Sequence, residues 1–262
     1  MKLTITRSIV PNMLTLGNLF CGFSALVFAS DGDFMRASLF VLFAAVFDML
    51  DGVIARLLRS TSEIGAELDS LCDAVSFGVA PSFILYKIFF FTWGDTGLLL
   101  ASMPALAGVA RLARFNVQLT SFEDKLYFKG MPIPSGALTI LSYVVFFHTN
   151  PSIDPNLKSV LIVAVTVVTS LAMVSTIKFD NLPRPSKRSI KQRPYAFAVA
   201  VVGLILSVVT LGKAIFPFML FYIIVSVIRY IYVKFAELRK SNLEIEDLDD
   251  LDEDSDTHTY EP

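Results

Sequence analysis

Apolar residues in this chain come in long runs separated by short polar or Gly/Pro-containing breaks, and the lengths of those runs set the fold class. A helix needs about 17 to 25 apolar residues to cross a bilayer core. Eight stretches reach or approach that length: Leu14 to Ala29, Met35 to Leu58, Leu68 to Phe91, Gly97 to Phe115, Pro134 to Phe147, Val160 to Ile177, Tyr195 to Leu211 and Ala214 to Val233, the fifth being short. The pattern predicts an all-α, polytopic membrane helix bundle.

Composition supports this and excludes a soluble globular domain. The 262 residues are 54% hydrophobic and 18% charged, with a mean hydropathy of +0.63, which is more apolar surface than one soluble core can hide. The net charge of −2 conceals a strong segregation. With the N terminus on the cytoplasmic side, seventeen Lys and Arg fall in loops and ends of that side, against Arg36, Lys158 and Lys213 on the other. Cytoplasmic loops retain positive charge, so the expected layout is an even number of spans in the cytoplasmic membrane with both termini inside. The basic residues read as anchors on membrane lipids, and no nucleic-acid partner is expected.

Three segments fall outside the spans. Lys2 and Arg7 interleave with Leu3, Ile5 and Ile9, a pattern suited to an amphipathic segment lying on the leaflet, and nothing there resembles a cleaved export signal. Residues 178–194 form a Pro-rich basic loop suited to anionic headgroups. Residues 236–262 are acidic without apolar periodicity and are expected to be a disordered, solvated tail. Cys21 and Cys72 lie inside predicted spans with no CxxC spacing or clustered His, which argues against a disulfide framework or a zinc site.

The chemistry concentrates in four aspartates, Asp48, Asp51, Asp69 and Asp73, set in two of the apolar stretches. A carboxylate at membrane depth is costly and marks function by default. Spacings of three and four place each pair on one helix face, and Ser60, Thr61, Ser62 and Gly65 supply turn material between the two helices. Four carboxylates in one place repel unless a strong positive charge sits among them, and hard divalent cations prefer oxygen ligands. Gly52 and Ala55 share nearly the face of Asp48 and Asp51 and leave room for a ligand, while Arg56 and Ser62 suit phosphate oxygens. Helix packing through Arg56 and Arg59 alone would leave four negative charges against two positive ones.

These residues, D-x2-D-G-x2-A-R-x8-G-x3-D-x3-D over 26 positions from Asp48 to Asp73, resemble the signature of the CDP-alcohol phosphotransferases. The resemblance implies that Asp48, Asp51 and Asp69 ligate two divalent cations, Mg2+ or Mn2+. It further implies that Asp73 shares in ligation and acts as general base, and that Gly52, Ala55, Arg56 and Ser62 line the CDP site. It implies a homodimer and a six-span catalytic core, here within residues 1–177, to which residues 195–235 add two spans.

The blocks PNMLTLGNLFCGF, ARLARFNV and YFKGMPIPSGA resemble those of bacterial and archaeal members that use serine. The implied reaction is CDP-diacylglycerol plus L-serine giving phosphatidylserine plus CMP. Arg111 and Arg114, three apart, could grip the serine carboxylate or simply anchor the helix end, with Asn116 and Lys129 as further candidates. Asn12 and Thr15 could bond the nucleotide or cap the first span. A sister enzyme taking glycerol 3-phosphate or inositol would share the main motif. From another class, a divalent-cation transporter would be expected to repeat its acids in two halves, whereas here they sit in one helix pair.

Overall fold

The computed structural model describes residues 9–58, 63–120, 130–177, 179 and 194–257. Its elements are α1 (Ile9–Ser30), α2 (Phe34–Leu58), α3 (Glu63–Asp73), a π-helical segment (Ala74–Val79), α4 (Ala80–Ile88), a 3-10 turn (Phe90–Trp93), α5 (Gly94–Thr120), α6 (Ile133–Tyr143) with a π continuation (Val144–His148), α7 (Pro155–Val174), α8 (Pro194–Val209) and α9 (Ile215–Thr257). Among the described residues there is no strand, and six helical stretches are long and apolar enough to cross a membrane: Ile9–Ser30, Phe34–Leu58, Ile64–Ile88, Phe90–Val117, Pro155–Val174 and Ile215–Ala236. Ile133–His148 and α8 are shorter apolar helices. The protein is an all-α integral membrane bundle. Its outer face is apolar, with Phe20, Phe23, Leu71 and Leu106 exposed, as a lipid solvent requires.

The chain divides into two compact units, Met1–Phe221 and Tyr222–Pro262. In the first, α1 and α2 pack as an antiparallel pair. Their seam is lined by small residues, Ala25 and Ala29 on one side and Ala37 and Ala44 on the other, all fully buried. Without a hydrophobic drive between helices in lipid, such close backbone approach supplies the association. Gly22 extends the same logic to the third spanning stretch: a Cβ there would lie 2.2 Å from Ser76 Oγ and 2.8 Å from Ser76 Cα. In the connection between α1 and α2, Asp33 accepts from the Arg36 amide at 3.0 Å and pairs with Arg36 Nε at 3.1 Å, capping α2.

The π-helical segment follows Asp73 directly and has a sequence cause. Pro81 has no N–H, and its ring excludes the carbonyl four residues back, so the turn ahead of it widens. Buried Phe77, Ile84, Phe90, Ile140, Tyr143 and Met173 fill the interior beneath.

Several boundaries differ from expectation. α1 is already helical at Ile9, ahead of Leu14, so Asn12 lies inside the helix and does not cap it. α3 begins at Glu63, ahead of Leu68, since its first turns are polar and escape a count of apolar residues. α7 begins at Pro155, where Asp154 accepts from the Leu157 amide at 3.1 Å. α9 runs through Thr257 into the stretch expected to be an acidic tail, where its Leu, Glu and Lys residues are good helix formers, and residues 258–262 lie outside the described residues.

Candidate active site

α2 carries Asp48 and Asp51 a turn apart, and α3 carries Asp69 and ends on Asp73. One carboxylate oxygen each from Asp48, Asp51 and Asp69 lies within 4.8 Å of the others; of the residues expected to turn the chain between the two helices, Ser60, Thr61 and Ser62 lie outside the described residues and Gly65 lies inside α3. Asp73 sits one turn further along, about 6 Å by helical rise. Asp51 and Asp73 are buried, and Asp69 Oδ1 is buried with no hydrogen-bond partner. Negative charge this dense, in hard oxygen donors with an unsatisfied acceptor among them, fits a divalent cation.

α1 contributes a feature that the motif does not contain. Thr15 Oγ1 donates to Asp51 Oδ2 at 2.7 Å, and Asn18 Nδ2 donates to Asp73 Oδ1 at 3.0 Å. Three apart, Thr15 and Asn18 share a face of α1, and each holds one carboxylate of a different pair. Asn18 is fully buried; its backbone carbonyl accepts from Ser76 Oγ at 3.0 Å, and its Oδ1 has no partner. The sequence suggests a nucleotide-binding or capping role for Thr15, and the structure places its hydroxyl on a carboxylate. Asn18 was missed, although a polar residue in an apolar span at i+3 from another polar residue was a usable signal.

Around this centre, Gly52 faces open space, with nothing within 4 Å of where a Cβ would sit. Ala55 is half-buried and Arg56 is exposed in the last turn of α2. Ser62 and Lys129 lie outside the described residues. Asn116 Nδ2 donates to Ser70 Oγ at 3.0 Å, tying α5 to α3 beside Asp69.

The two arginines of α5 part company. Arg111 is buried, its guanidinium carbon 6.0 Å from the centre of the Phe115 ring. Arg114 donates through Nη1 to Val174 O at 3.0 Å and through Nη2 to Ser175 O at 3.3 Å and Met173 O at 3.4 Å. It caps the C-terminal carbonyls of α7, where a cation is favourable. Gly130 and Met131 join the same junction, their amides donating to Ile177 O and Ala172 O at 2.9 Å each. Gly130 has φ +85, and a Cβ would lie 2.2 Å from Met173 O, so only glycine fits. In this geometry Arg114 is helix-capping, which differs from the paired grip on a carboxylate drawn from its spacing with Arg111.

Residues 8–177 match the family model described as CDP-alcohol phosphatidyltransferase, well over half of the chain. The chain belongs to the CDP-alcohol phosphatidyltransferase family. The CDP-alcohol phosphatidyltransferase match takes in α1 to α7, and with them the four aspartates, Thr15 and Asn18. Among curated relatives, the chain is 33% identical over 223 residues to the CDP-diacylglycerol–serine O-phosphatidyltransferase of Helicobacter pylori (strain J99), covering 85% of this chain and 91% of that one. It is 32% identical over 182 residues to the Bacillus subtilis protein of the same name, covering 70% and 96%. It is 31% identical over 222 residues to that of Methanocaldococcus jannaschii, covering 85% and 94%.

Proposed function

We propose that this enzyme transfers the phosphatidyl group of CDP-diacylglycerol to the hydroxyl of L-serine, giving phosphatidylserine and CMP. The observation that carries the chemistry is the meeting of the Asp48, Asp51 and Asp69 oxygens within 4.8 Å. The acceptor is argued from the names of relatives that align over most of both chains.

In this reading Asp48, Asp51 and Asp69 hold two divalent cations, Mg2+ or Mn2+, with Asp73 sharing in ligation. Such ions, when bound, neutralise the pyrophosphate and stabilise the departing CMP oxygen. Asp73 takes the proton from the serine hydroxyl as its oxygen bonds to phosphorus and the bond to CMP breaks. Asn18, by holding Oδ1 of Asp73, directs the other oxygen to that proton. Gly52 and Ala55 leave the approach to the donor open, and Arg56 and Ser62 bind its phosphates. Arg111 is assigned to the serine carboxylate, and Arg114 to shaping the pocket by fixing the end of α7.

The site faces the cytoplasm of a cytoplasmic membrane in this account, supported by seventeen basic residues against three. The homodimer expected from the family resemblance is measurable by mass photometry in detergent. Purified protein with CDP-diacylglycerol and Mg2+ or Mn2+ should release CMP when serine is supplied. Release with glycerol 3-phosphate or inositol in its place would overturn the acceptor assignment.

A further inference from the structure

A carboxylate has two oxygens, and the number left free among the aspartates bears on which cation they suit. Asp48, Asp51, Asp69 and Asp73 together carry eight. α1 engages two of these, one from each pair: Thr15 Oγ1 donates to Asp51 Oδ2 at 2.7 Å, and Asn18 Nδ2 donates to Asp73 Oδ1 at 3.0 Å. Asp51 and Asp73 each keep one oxygen clear of α1, and Asp69 Oδ1 is buried with no hydrogen-bond partner.

The Thr15 hydroxyl has one hydrogen and two acceptors within reach. Pro11 O lies 3.1 Å away, against 2.7 Å for Asp51 Oδ2. The shorter distance and the ionised acceptor draw the hydrogen to Asp51. Thr15 and Asp51 are both buried, so bulk water does not compete for the bond.

The helix that carries these donors is itself held in place. Ser76 Oγ donates to Asn18 O at 3.0 Å, and a Cβ on Gly22 would sit 2.8 Å from Ser76 Cα, so α1 meets the stretch just past Asp73 at backbone distance. Thr15 and Asn18 therefore resist following a carboxylate that moves outward. Mg2+ demands near-octahedral oxygens at about 2.0–2.1 Å and uses few carboxylates, whereas Ca2+ gathers more oxygens at about 2.3–2.6 Å and readily takes both from one carboxylate. Two carboxylates with one oxygen each held back, on a fixed helix, suit the smaller ion.

We propose that Thr15 is a specificity-determining residue for the cation: by holding Asp51 Oδ2 it biases the aspartates toward Mg2+ and against Ca2+, an inference that rests on the reading of these aspartates as divalent-cation ligands. Asn18 acts in the same sense on Asp73. Removing the Thr15 hydroxyl releases Asp51 Oδ2 and gives the larger ion the additional oxygen it favours.

The test uses the full chain in detergent with metal alone, so neither turnover nor the choice of acceptor enters. Mn2+ binding is read from the loss of the free-ion EPR signal, and the bound Mn2+ is displaced by Mg2+ or by Ca2+ in wild type, Thr15→Val, Thr15→Ala and Thr15→Ser. The ratio of Ca2+ to Mg2+ affinity should rise about tenfold in Thr15→Val and Thr15→Ala, in the range for loss of a group that orients a ligand, and return to within about twofold of wild type in Thr15→Ser. Either hydroxyl-free variant decides the matter if the other fails to fold. An unchanged ratio, an equal weakening of both ions, or a shift that persists in Thr15→Ser overturns the assignment while leaving the cation reading intact. Wild-type protein that binds no Mn2+, or binds it undiminished in Asp69→Asn, overturns the cation reading and the assignment together.

Discussion

The aspartate centre and the junction at the end of α7 are both made of charged side chains set against apolar helices, yet their hydrogen-bond accounts are opposite. At the junction, Arg114 and the amides of Gly130 and Met131 meet the carbonyls of residues 172–175 and 177. At the aspartates, acceptors exceed donors: α1 supplies two hydrogen bonds, and Asp69 Oδ1 and Asn18 Oδ1 stay buried without a partner. A completed network serves as scaffold. One short of positive charge is built for something that arrives. The difference teaches that the case for function at a charged residue in the membrane rests on what its neighbours leave unsatisfied, and not on charge alone.

Substitutions should separate the two regions cleanly. The largest effect is expected from Asp73→Asn, which removes the proton acceptor while preserving shape. Turnover should fall by about 10³-fold, within the range for loss of a general base, with CDP binding and melting temperature nearly unchanged; near-normal CMP release would remove Asp73 from that role. Next, Asn18→Ala should lower kcat by about 10- to 100-fold, the usual cost of losing a group that orients a ligand, with little change in KM for the lipid. If KM rises and kcat holds, Asn18 touches substrate instead.

Smaller effects fall on the arginines and should diverge. Arg111→Ala should raise the serine KM by about tenfold, corresponding to about 1.4 kcal/mol of lost binding, with the lipid KM unchanged. Arg114→Ala should do the reverse, costing about 1.5 to 3 kcal/mol of stability, as expected for hydrogen bonds to a charged group, while the KM values for serine and lipid move together. Thermal melting in detergent reads the first half of that statement and steady-state kinetics the second. A selective rise in serine KM for Arg114→Ala would return it to the acceptor pocket.

Much of this was legible in the sequence, and the gaps have physical causes. Each of the eight apolar runs corresponds to a helical segment because lipid leaves a chain few ways to satisfy its backbone. The aspartate pairs could be brought together on paper because spacings of three and four fix a helix face. The polar first turns of α3, from Glu63, were missed because they belong to the helix but not to the apolar count. The partners of Arg114 were not legible, since they lie about sixty residues downstream and are backbone carbonyls, which no side-chain pattern reports. Asn18 was within reach: a fully buried amide three residues from Thr15 is costly unless it meets something, and here it meets Asp73.

The central claim, that side chains from α2 and α3 form a cation clamp, is tested most directly by anomalous scattering from crystals grown with Mn2+ and a CDP-bearing ligand. The account expects two manganese peaks bounded by Asp48, Asp51, Asp69 and Asp73, and their loss in Asp69→Asn. Saturating Mn2+ that leaves no peak there, or peaks that persist unchanged in the variant, would contradict it.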